Sequence, residues 1–171
     1  KDLADKKKQV FEEDLYSLIE NEQNFQKKMF IELIELSLNC GSNKKSNALI
    51  ALNAFGEKKT IKKTGNGPID AIFNALKSLI PNKANLIVYQ VNAITKGTDA
   101  QAEVNVRLEE NQITVQGQGS DVDTMVASAK AYINAMNKLI MKRKKAQESK
   151  SLLAPSNVKL DDPPKSPELL N

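Results

Sequence analysis

The hydrophobic residues in the middle of the chain first follow a spacing of two. In AEVNVRLEENQITVQGQG, residues 102–119, apolar and polar side chains alternate on either side of a polar centre. Alternation places the apolar side chains on one face of an extended strand, so this stretch predicts a half-buried antiparallel hairpin. SNALIALNAFGEKKTIKK, residues 46–63, predicts a second hairpin. One more strand is predicted in residues 86–95 and another in residues 29–39, where a helix is the alternative.

A helical spacing follows each predicted hairpin. The apolar positions are Ile69, Ile72, Phe73, Leu76 and Ile80 in the first helix, and Val122, Met125, Val126, Ala129, Ile133, Met136 and Ile140 in the second. Pro68 suits the first turn of the first helix, and Ser120 suits the N-cap of the second. The order of elements predicts an α+β fold of duplicated βββα units, with helices on one face of antiparallel sheets. A short helical linker subdomain is expected to precede them.

A glycine pair stands before each predicted helix. TGNGPIDAIFNAL and GQGSDVDTMVASAKAYINAM align Gly65 with Gly117 and Gly67 with Gly119, and an aspartate follows each pair. A glycine turn before a helix aims backbone N–H groups and the positive end of the helix dipole at an anion. Neither the third glycine of the dinucleotide-binding pattern nor the Gly-Lys-Ser/Thr end of a phosphate loop is present, so nucleotide binding is disfavoured.

The aspartates after the glycine pairs give a second interpretation. Two duplicated half-sites can offer N–H donors to a carboxylate, while Asp70, Asp121 or Asp123 can face an ammonium, and a free amino acid carries both groups. The simpler interpretation is that the glycines serve tight turns and the aspartates favour the helix dipole. Catalysis is disfavoured, because alternate residues at a helix start do not face one another and no nucleophile stands next to a base.

Composition narrows the possible chemistry. The 171 residues include no histidine and a single cysteine, Cys40, so histidine triads, Cys/His zinc sites and disulfide frameworks are disfavoured, and Cys40 is expected to be a small buried thiol. Residues 142–171 hold seven basic and four acidic side chains, which is most of the net charge of +4. The cluster KRKK at 142–145 suits a helix C-terminus, and a small basic nucleic-acid-binding module is the alternative. Without a membrane-length apolar run or a signal peptide, a cytoplasmic protein is expected.

The two ends of the chain differ from its middle. Residues 1–26 are charged and helix-favouring, with a narrow apolar face that needs a partner surface, and the start at Lys1 suggests a piece of a longer protein. Residues 147–171 are rich in serine, proline and charge, which predicts a disordered tail. The central domain is therefore expected over residues 27–146. Small residues at 127–135 allow its second helix to pack closely on the sheet or on a second subunit.

Four segments in order resemble the C-terminal part of the 2-isopropylmalate synthase family. They are LADKKKQVFEEDL, TGNGPIDAIFNAL, YQVNAITKGTDAQAEVNVRLE and GQGSDVDTMVASAKAYINAMNKL. The resemblance covers residues 1 to about 141 and implies the second linker subdomain and the allosteric, dimer-forming regulatory domain of that family. It implies feedback inhibition by leucine of the condensation of acetyl-CoA with 3-methyl-2-oxobutanoate. The catalytic barrel and its divalent metal precede this part in the family, so no catalytic residue, metal or cofactor is expected in the chain itself.

The resemblance also implies partners and site residues. Leucine is expected between the two βββα units near the interface of a homodimer, the catalytic barrel of the same chain is the other partner, and neither nucleic acid nor membrane is expected. The implied effector-binding residues are Gly65, Asn66, Gly67, Pro68 and Asp70 in the first turn, Tyr89, Asp99, Ala100, Gln101 and Ala102 in the middle segment, and Gly117, Gly119 and Asp121 in the second turn. The isoleucine-sensing domain of citramalate synthase is the alternative, although GTDAQAEV resembles the leucine-sensing branch more closely.

Overall fold

A computed structural model describes residues 29–80, 82–94 and 100–153. The elements in chain order are β1 (Ile31–Gly41), β2 (Lys44–Ala54), β3 (Glu57–Gly65), α1 (Pro68–Leu79), β4 (Asn85–Ala93), β5 (Ala102–Glu110), β6 (Ile113–Asp121) and α2 (Thr124–Leu153). This order confirms the predicted α+β fold of duplicated βββα units. Residues 29–39 contribute strand β1 rather than a helix. The predicted linker at residues 1–26 lies outside the described residues.

Each unit forms one antiparallel three-stranded sheet. The strand orders are β1-β2-β3 and β4-β5-β6, so the second strand of each unit is central. Phe55-Gly56 connects the last two strands of the first unit and Asn111-Gln112 those of the second, and all four residues have positive φ. Positive φ at both central residues is the type I′ geometry, whose twist matches that of the flanking strands.

The register of the sheets defines which residues of the two units correspond. The first residue after the type I′ turn is Glu57 in β3 and Ile113 in β6, and both strands are nine residues long. Their last residues, Gly65 and Asp121, therefore occupy equivalent positions. The sequence alignment of Gly65 with Gly117 is wrong by four residues, because a match between glycines overrode the strand register.

The core lies between the helices and the inner faces of the sheets, and α2 approaches β6 most closely. A Cβ atom on Gly117 would lie 2.2 Å from the carbonyl oxygen of Ala131, and one on Gly119 would lie 2.4 Å from that of Ala127. The predicted small-residue stripe of α2 is buried against the sheet inside the chain. The largest fully buried apolar residues around it are Ile31, Ile50, Leu52, Ile72, Leu76, Val104, Val106, Leu108, Met136 and Leu139.

Helix α2 begins later than predicted. β6 pairs with β5 through Ser120 to Asp121, so Ser120 is a strand residue and its predicted role as N-cap is wrong. Asp123 caps the helix instead, since its Oδ1 accepts a hydrogen bond of 2.7 Å from the backbone N–H of Met125. This is the bond by which an aspartate satisfies a free donor of a first helical turn.

Helix α2 also ends later than predicted. It continues to Leu153, whereas a disordered tail was expected from residue 147. The segment KRKKAQESK at 142–150 consists mainly of strong helix formers, so the helix extends beyond the sheet that it packs on. The remainder of the predicted tail, residues 154–171, lies outside the described residues.

A buried asparagine joins the helix of the second unit to the first strand of the first unit. The Oδ1 atom of Asn137 accepts hydrogen bonds of 3.0 Å from the backbone N–H groups of Phe30 and Ile31, and its Nδ2 atom donates to the carbonyl of Ile31 at 2.9 Å. The ammonium of Lys144 lies 4.0 Å above the centroid of the Phe30 ring. Helix α2 therefore covers the beginning of β1, although β1 belongs to the other unit.

A second polar contact holds the C-terminal half of α2. The carboxylate of Glu110, which is 6% exposed, accepts hydrogen bonds from the Arg143 guanidinium and from the backbone N–H of Lys83, the latter at 2.8 Å. Burial raises the pKa of Glu110, but the hydrogen bonds and positive charges of Arg143 and Lys83 outweigh it, so the pKa lies below its ordinary value.

Candidate functional site

The first glycine turn leads directly into α1. Gly67 is the N-cap, with an extended backbone, and Pro68 is the first helical residue. Asp70 closes the turn, because its Oδ2 accepts a hydrogen bond of 2.9 Å from the backbone N–H of Asn66. The backbone N–H groups of Ile69 and Asp70 belong to the first turn, where an intrahelical carbonyl is not available to them. The N-terminus of α1 thus presents donors and the positive end of the helix dipole.

The two glycines of this turn have different surroundings. A Cβ atom on Gly65 would lie 2.3 Å from the backbone nitrogen of Ala71, so this glycine lets β3 contact the start of α1. A Cβ atom on Gly67 would meet no atom of the described residues within 4 Å. Gly65 is therefore a buried packing position, whereas the space beside Gly67 is open.

Three aromatic rings connect α1 with β4 and α2. The ring of Phe73 stacks on Tyr132, with centroids 4.9 Å apart, and meets Tyr89 edge-on at 5.6 Å. The Tyr89 hydroxyl lies 2.9 Å from Oγ of Ser128, which itself donates to the carbonyl of Thr124 at 2.6 Å, so Tyr89 is the donor of the first bond. Burial raises the pKa of Tyr132 to about 12. We call these three rings the aromatic wall.

The middle segment contributes small residues at and just before the start of β5. Ala102 begins β5, is buried, and lies opposite the end of β4. The carbonyl of Gln101 accepts a hydrogen bond of 2.9 Å from the backbone N–H of Ile94, which prolongs the pairing of the two strands. Ala100 is half-buried. Asp99, the remaining predicted site residue of this segment, lies outside the described residues.

The second glycine pair does not form a turn. Gly117 and Gly119 lie inside β6 on the face that contacts α2, where the absence of a side chain permits the close approach of strand and helix. The predicted turn is therefore wrong, because a glycine that packs on a helix and a glycine that turns look alike in sequence. Gly119 also lines a cleft of about 390 Å³ between β1, β6 and α2.

Asp121 has partners within its own unit. Its Oδ2 accepts a bond of 2.6 Å from the ammonium of Lys130, and its Oδ1 accepts one of 3.0 Å from the backbone N–H of Asp123. The hydrogen bond from Lys130 and then that from Asp123 lower the pKa of Asp121. Both oxygens of this carboxylate are thus already bonded inside the chain.

Within the described residues, the structure links the first turn of α1 to Tyr89 and Ala102 of the middle segment. It does not link them to the second glycine pair or to Asp121. The first turn of α1 continues into Phe73, which touches Tyr89, and β5 carries Ala102 next to the strand of Tyr89. Sequence reasoning placed Phe73 in the core stripe and did not assign Ser128 or Tyr132 to the site. Their signal was the helical spacing of four residues, which puts Ser128 and Tyr132 on one face of α2.

The basic cluster at 142–145 is engaged within the fold. Lys142 donates a hydrogen bond of 2.9 Å to the carbonyl of Thr114, and Arg143 binds the carboxylate of Glu110. Half of the cluster therefore stabilises the contact between α2 and the second sheet. This use weakens the nucleic-acid alternative, which needs these cations to face a phosphate backbone.

Three further features of the described residues concern metal binding, membrane insertion and the cysteine thiol. Within these ranges, no group of three or more His, Cys, Asp or Glu side chains is arranged to hold a metal ion. In the same part of the chain, no helix is long and apolar enough to cross a membrane. Cys40 is exposed near the end of the edge strand β1, so the expected buried thiol is wrong.

The fold and the site first define the class of the protein. It is an α+β domain of two βββα units with a shared core, and its candidate binding feature is the open N-terminus of α1 beside the aromatic wall. The model of one protein family, the LeuA allosteric (dimerisation) domain, matches residues 9–140. The chain belongs to this family, which implies that it forms a homodimer.

Curated relatives agree with this assignment. The chain is 46% identical over 145 residues to a 2-isopropylmalate synthase of Bradyrhizobium sp. (strain ORS 278), which covers 85% of this chain and 27% of the relative. It is 46% identical over 147 residues to that of Rhodopseudomonas palustris (strain BisA53), covering 85% of this chain and 28% of the relative. The enzyme of Afipia carboxidovorans is 43% identical over 145 residues, with coverage of 85% and 28%. The chain spans little more than a quarter of the length of these relatives.

Proposed function

We propose that this chain is the leucine-sensing regulatory domain of a 2-isopropylmalate synthase. The observation that carries the proposal is the open N-terminus of α1, which lies within the residues that match the allosteric family. In the proposal, leucine bound here inhibits the condensation of acetyl-CoA with 3-methyl-2-oxobutanoate, and a catalytic barrel with a divalent metal supplies that reaction in the whole protein. Leucine is the end product of the pathway, so its binding provides feedback.

The three parts of a bound leucine have different requirements. Its carboxylate would accept hydrogen bonds from the backbone N–H groups of Ile69 and Asp70, where the helix dipole favours an anion. Its ammonium would face the carboxylate of Asp70, since Asp121 is already bound to Lys130. Its isobutyl group would pack against the aromatic wall and against Ala100 and Ala102, which offer an apolar surface without bulk.

Calorimetry of the chain against leucine, isoleucine, valine and methionine tests the proposal. The informative variant is Gly67→Asp, because its carboxylate would compete for the helix N-terminus and repel that of the ligand. Asp is a favoured N-cap residue and the space at Gly67 is open, so the fold is retained. Gly41→Asp is the matched control, since a Cβ atom on Gly41, at the end of β1, also meets no described atom within 4 Å.

We expect leucine to bind most tightly, and a shifted methyl group to cost isoleucine about 1 to 3 kcal/mol. Gly67→Asp should weaken leucine binding at least about tenfold, which is about 1.4 kcal/mol, while Gly41→Asp leaves it unchanged. Thermal unfolding of both variants verifies that they are folded. Tighter binding of isoleucine would transfer the assignment to the citramalate synthase branch, and a folded chain that binds none of the four amino acids would overturn the proposal.

Gly65 and Gly117 are less suitable positions for this test. A Cβ atom at either glycine would lie within 2.4 Å of helix backbone, at 2.3 Å for Gly65 and 2.2 Å for Gly117. A loss of leucine binding in such variants would therefore report a damaged fold as readily as a blocked site.

A further inference from the structure

Of the four edge strands in the described part of the chain, three are guarded against contact with other chains. At β6, Lys142 and Lys138, one helical turn apart on α2, donate hydrogen bonds of 2.9 Å to the carbonyls of Thr114 and Gln116. β3 guards its edge with lysines, and β1 has glutamates in its first half. Those residues are Lys58, Lys59, Lys62 and Lys63 in β3, and Glu32 and Glu35 in β1. Charges and covering side chains are the usual protection of a sheet edge.

The fourth edge, β4, is apolar and exposed. The sequence from Asn85 to Ile94 contains no charged residue. Its large apolar side chains are between 38% and 52% exposed, and we call them the β4 surface: Leu86, Ile87, Val88, Val91 and Ile94. These side chains lie on both faces of the strand, since Val91 pairs with the buried Val104 and Val88 with the exposed Arg107. Exposed apolar side chains along an unguarded edge strand are typical of a surface that another protein covers.

Strand β1, which corresponds to β4 in the first unit, shows what kind of contact β4 lacks. β1 and β4 each contain a bulge, at Ile34 and Ile87, where the pairing with the central strand skips one residue. Four residues beyond the bulge, Leu38 in β1 is partly buried against the core, whereas Val91 in β4 is 42% exposed. The beginning of β1 is covered by α2, whose 30 residues span about 45 Å. α1 has only 12 residues, about 18 Å, and leaves β4 open.

We propose that a second copy of this chain covers the β4 surface, so that the dimer is formed around β4 of both copies. The homodimer implied by the family needs a surface that is complementary to itself, because a two-fold interface joins the same patch of both subunits. The β4 surface meets this condition, since a strand without charged side chains can lie edge to edge with its own copy without placing like charges together. The lysine-rich edge of β3 would oppose four lysines to four others. This inference rests on dimer formation and is independent of leucine as the ligand.

Paired substitutions at the two bulges test the location of the interface. Ile87 is 52% exposed and Ile34 is 50% exposed, so Ile87→Lys and Ile34→Lys introduce the same charge at equivalent positions with equal solvent access. Val91→Lys is a second variant on the β4 surface. Sedimentation equilibrium of the complete chain over a range of concentrations gives the dimer dissociation constant, and far-UV circular dichroism with thermal unfolding verifies the fold of each variant.

We expect Ile87→Lys and Val91→Lys to raise the dimer dissociation constant at least about thirtyfold, and Ile34→Lys to leave it unchanged. A dimer that tolerates both β4 variants overturns the inference, and weakening by Ile34→Lys alone would locate the interface on β1. A wild-type monomer whose melting temperature falls with Val91→Lys would show that another segment of the chain, such as residues 1–28, covers β4. Calorimetry with leucine is a separate measurement, so a failed ligand and a failed interface are distinguishable.

Discussion

The two βββα units have the same strand order, the same type I′ turn and the same bulge, but their helices contribute differently. The second helix packs on β5 and β6, reaches β1 of the other unit through Asn137, and binds Glu110 through Arg143. The first helix packs on β2 and β3 and keeps an open N-terminus. In this duplicated fold, the helix of the second unit makes the contacts that join the two units. The helix of the first unit keeps its N-terminus open.

The glycine pairs express this difference most directly. In the second unit both glycines bring a strand against helix backbone, so the pair serves packing alone. In the first unit only Gly65 does so, while Gly67 is the N-cap beside open space. The same Gly-x-Gly motif therefore serves only close packing in the second unit, whereas in the first unit its second glycine leaves the N-terminus of α1 open.

The largest expected effect comes from placing one side chain in both contexts. Gly117→Ser should reduce the free energy of unfolding by at least about 3 kcal/mol, because its Cβ would lie 2.2 Å from the carbonyl oxygen of Ala131 and strand and helix must separate. Gly67→Ser should change it by no more than about 0.5 kcal/mol, since serine suits an N-cap and meets open space. Urea denaturation of both variants measures the two values.

Equal losses in the two glycine variants would contradict the comparison between the units. A small loss for Gly117→Ser would mean that α2 is not held closely on β6. A large loss for Gly67→Ser would mean that the first turn of α1 is closed, which would also remove the basis for a ligand there.

The sequence was sufficient for the architecture because each element carries a strong local pattern. Alternation identified the hairpins, and a helical stripe after each one identified α1 and α2, so the duplication and the fold class followed. Pro68 correctly marked the first turn of α1. These patterns involve residues that are close to one another in the chain, so they can be recognised from the sequence alone.

The site was harder to predict because it depends on contacts between distant segments. Nothing near Tyr89 in the sequence indicates that its ring meets Phe73 or that its hydroxyl bonds to Ser128, 39 residues away. The role of Gly117 depends on its close contact with the backbone of α2 at Ala131 and Ala135, which the sequence around Gly117 does not indicate. The N-cap of α2 is Asp123 rather than the predicted Ser120, because pairing with β5 extends β6 as far as Asp121. Local helix propensity does not account for such strand pairing.

The next prediction concerns the link that only the second helix makes. Asn137→Ala should reduce the free energy of unfolding by about 2 kcal/mol, because it leaves buried backbone groups of Phe30 and Ile31 without their partner. Asn74→Ala on α1 is the matched control and should cost no more than about 0.5 kcal/mol, since the bond from Asn74 to the carbonyl of Thr64 is exposed and 3.3 Å long. Chemical denaturation of both variants, fitted with the same dependence of the unfolding free energy on denaturant concentration, measures the two losses.

Two outcomes would change this interpretation of Asn137. If Asn137→Ala were as mild as the Asn74 control, the units would be held together by apolar contacts alone. If Asn137→Ala produced two separate unfolding transitions, the shared core would be less important than the asparagine, and the units would be independent folding elements.

The smallest expected effect concerns the charge that distinguishes the two hairpins. The residue before the type I′ turn is Ala54 in the first unit and Glu110 in the second, where Arg143 holds it. Because the folded pKa of Glu110 lies below its ordinary value of 4.5, the stability it contributes is present above that pH and is lost as the pH falls through the folded pKa. Glu110→Gln should therefore cost about 1 kcal/mol at pH 7 and progressively less below pH 4.5. Glu109→Gln, at the exposed neighbouring position, should change the free energy of unfolding at pH 7 by no more than about 0.5 kcal/mol. Parallel curves for Glu110→Gln and the wild type from neutral to acid pH would show that the ion pair is not what anchors α2 to the second hairpin.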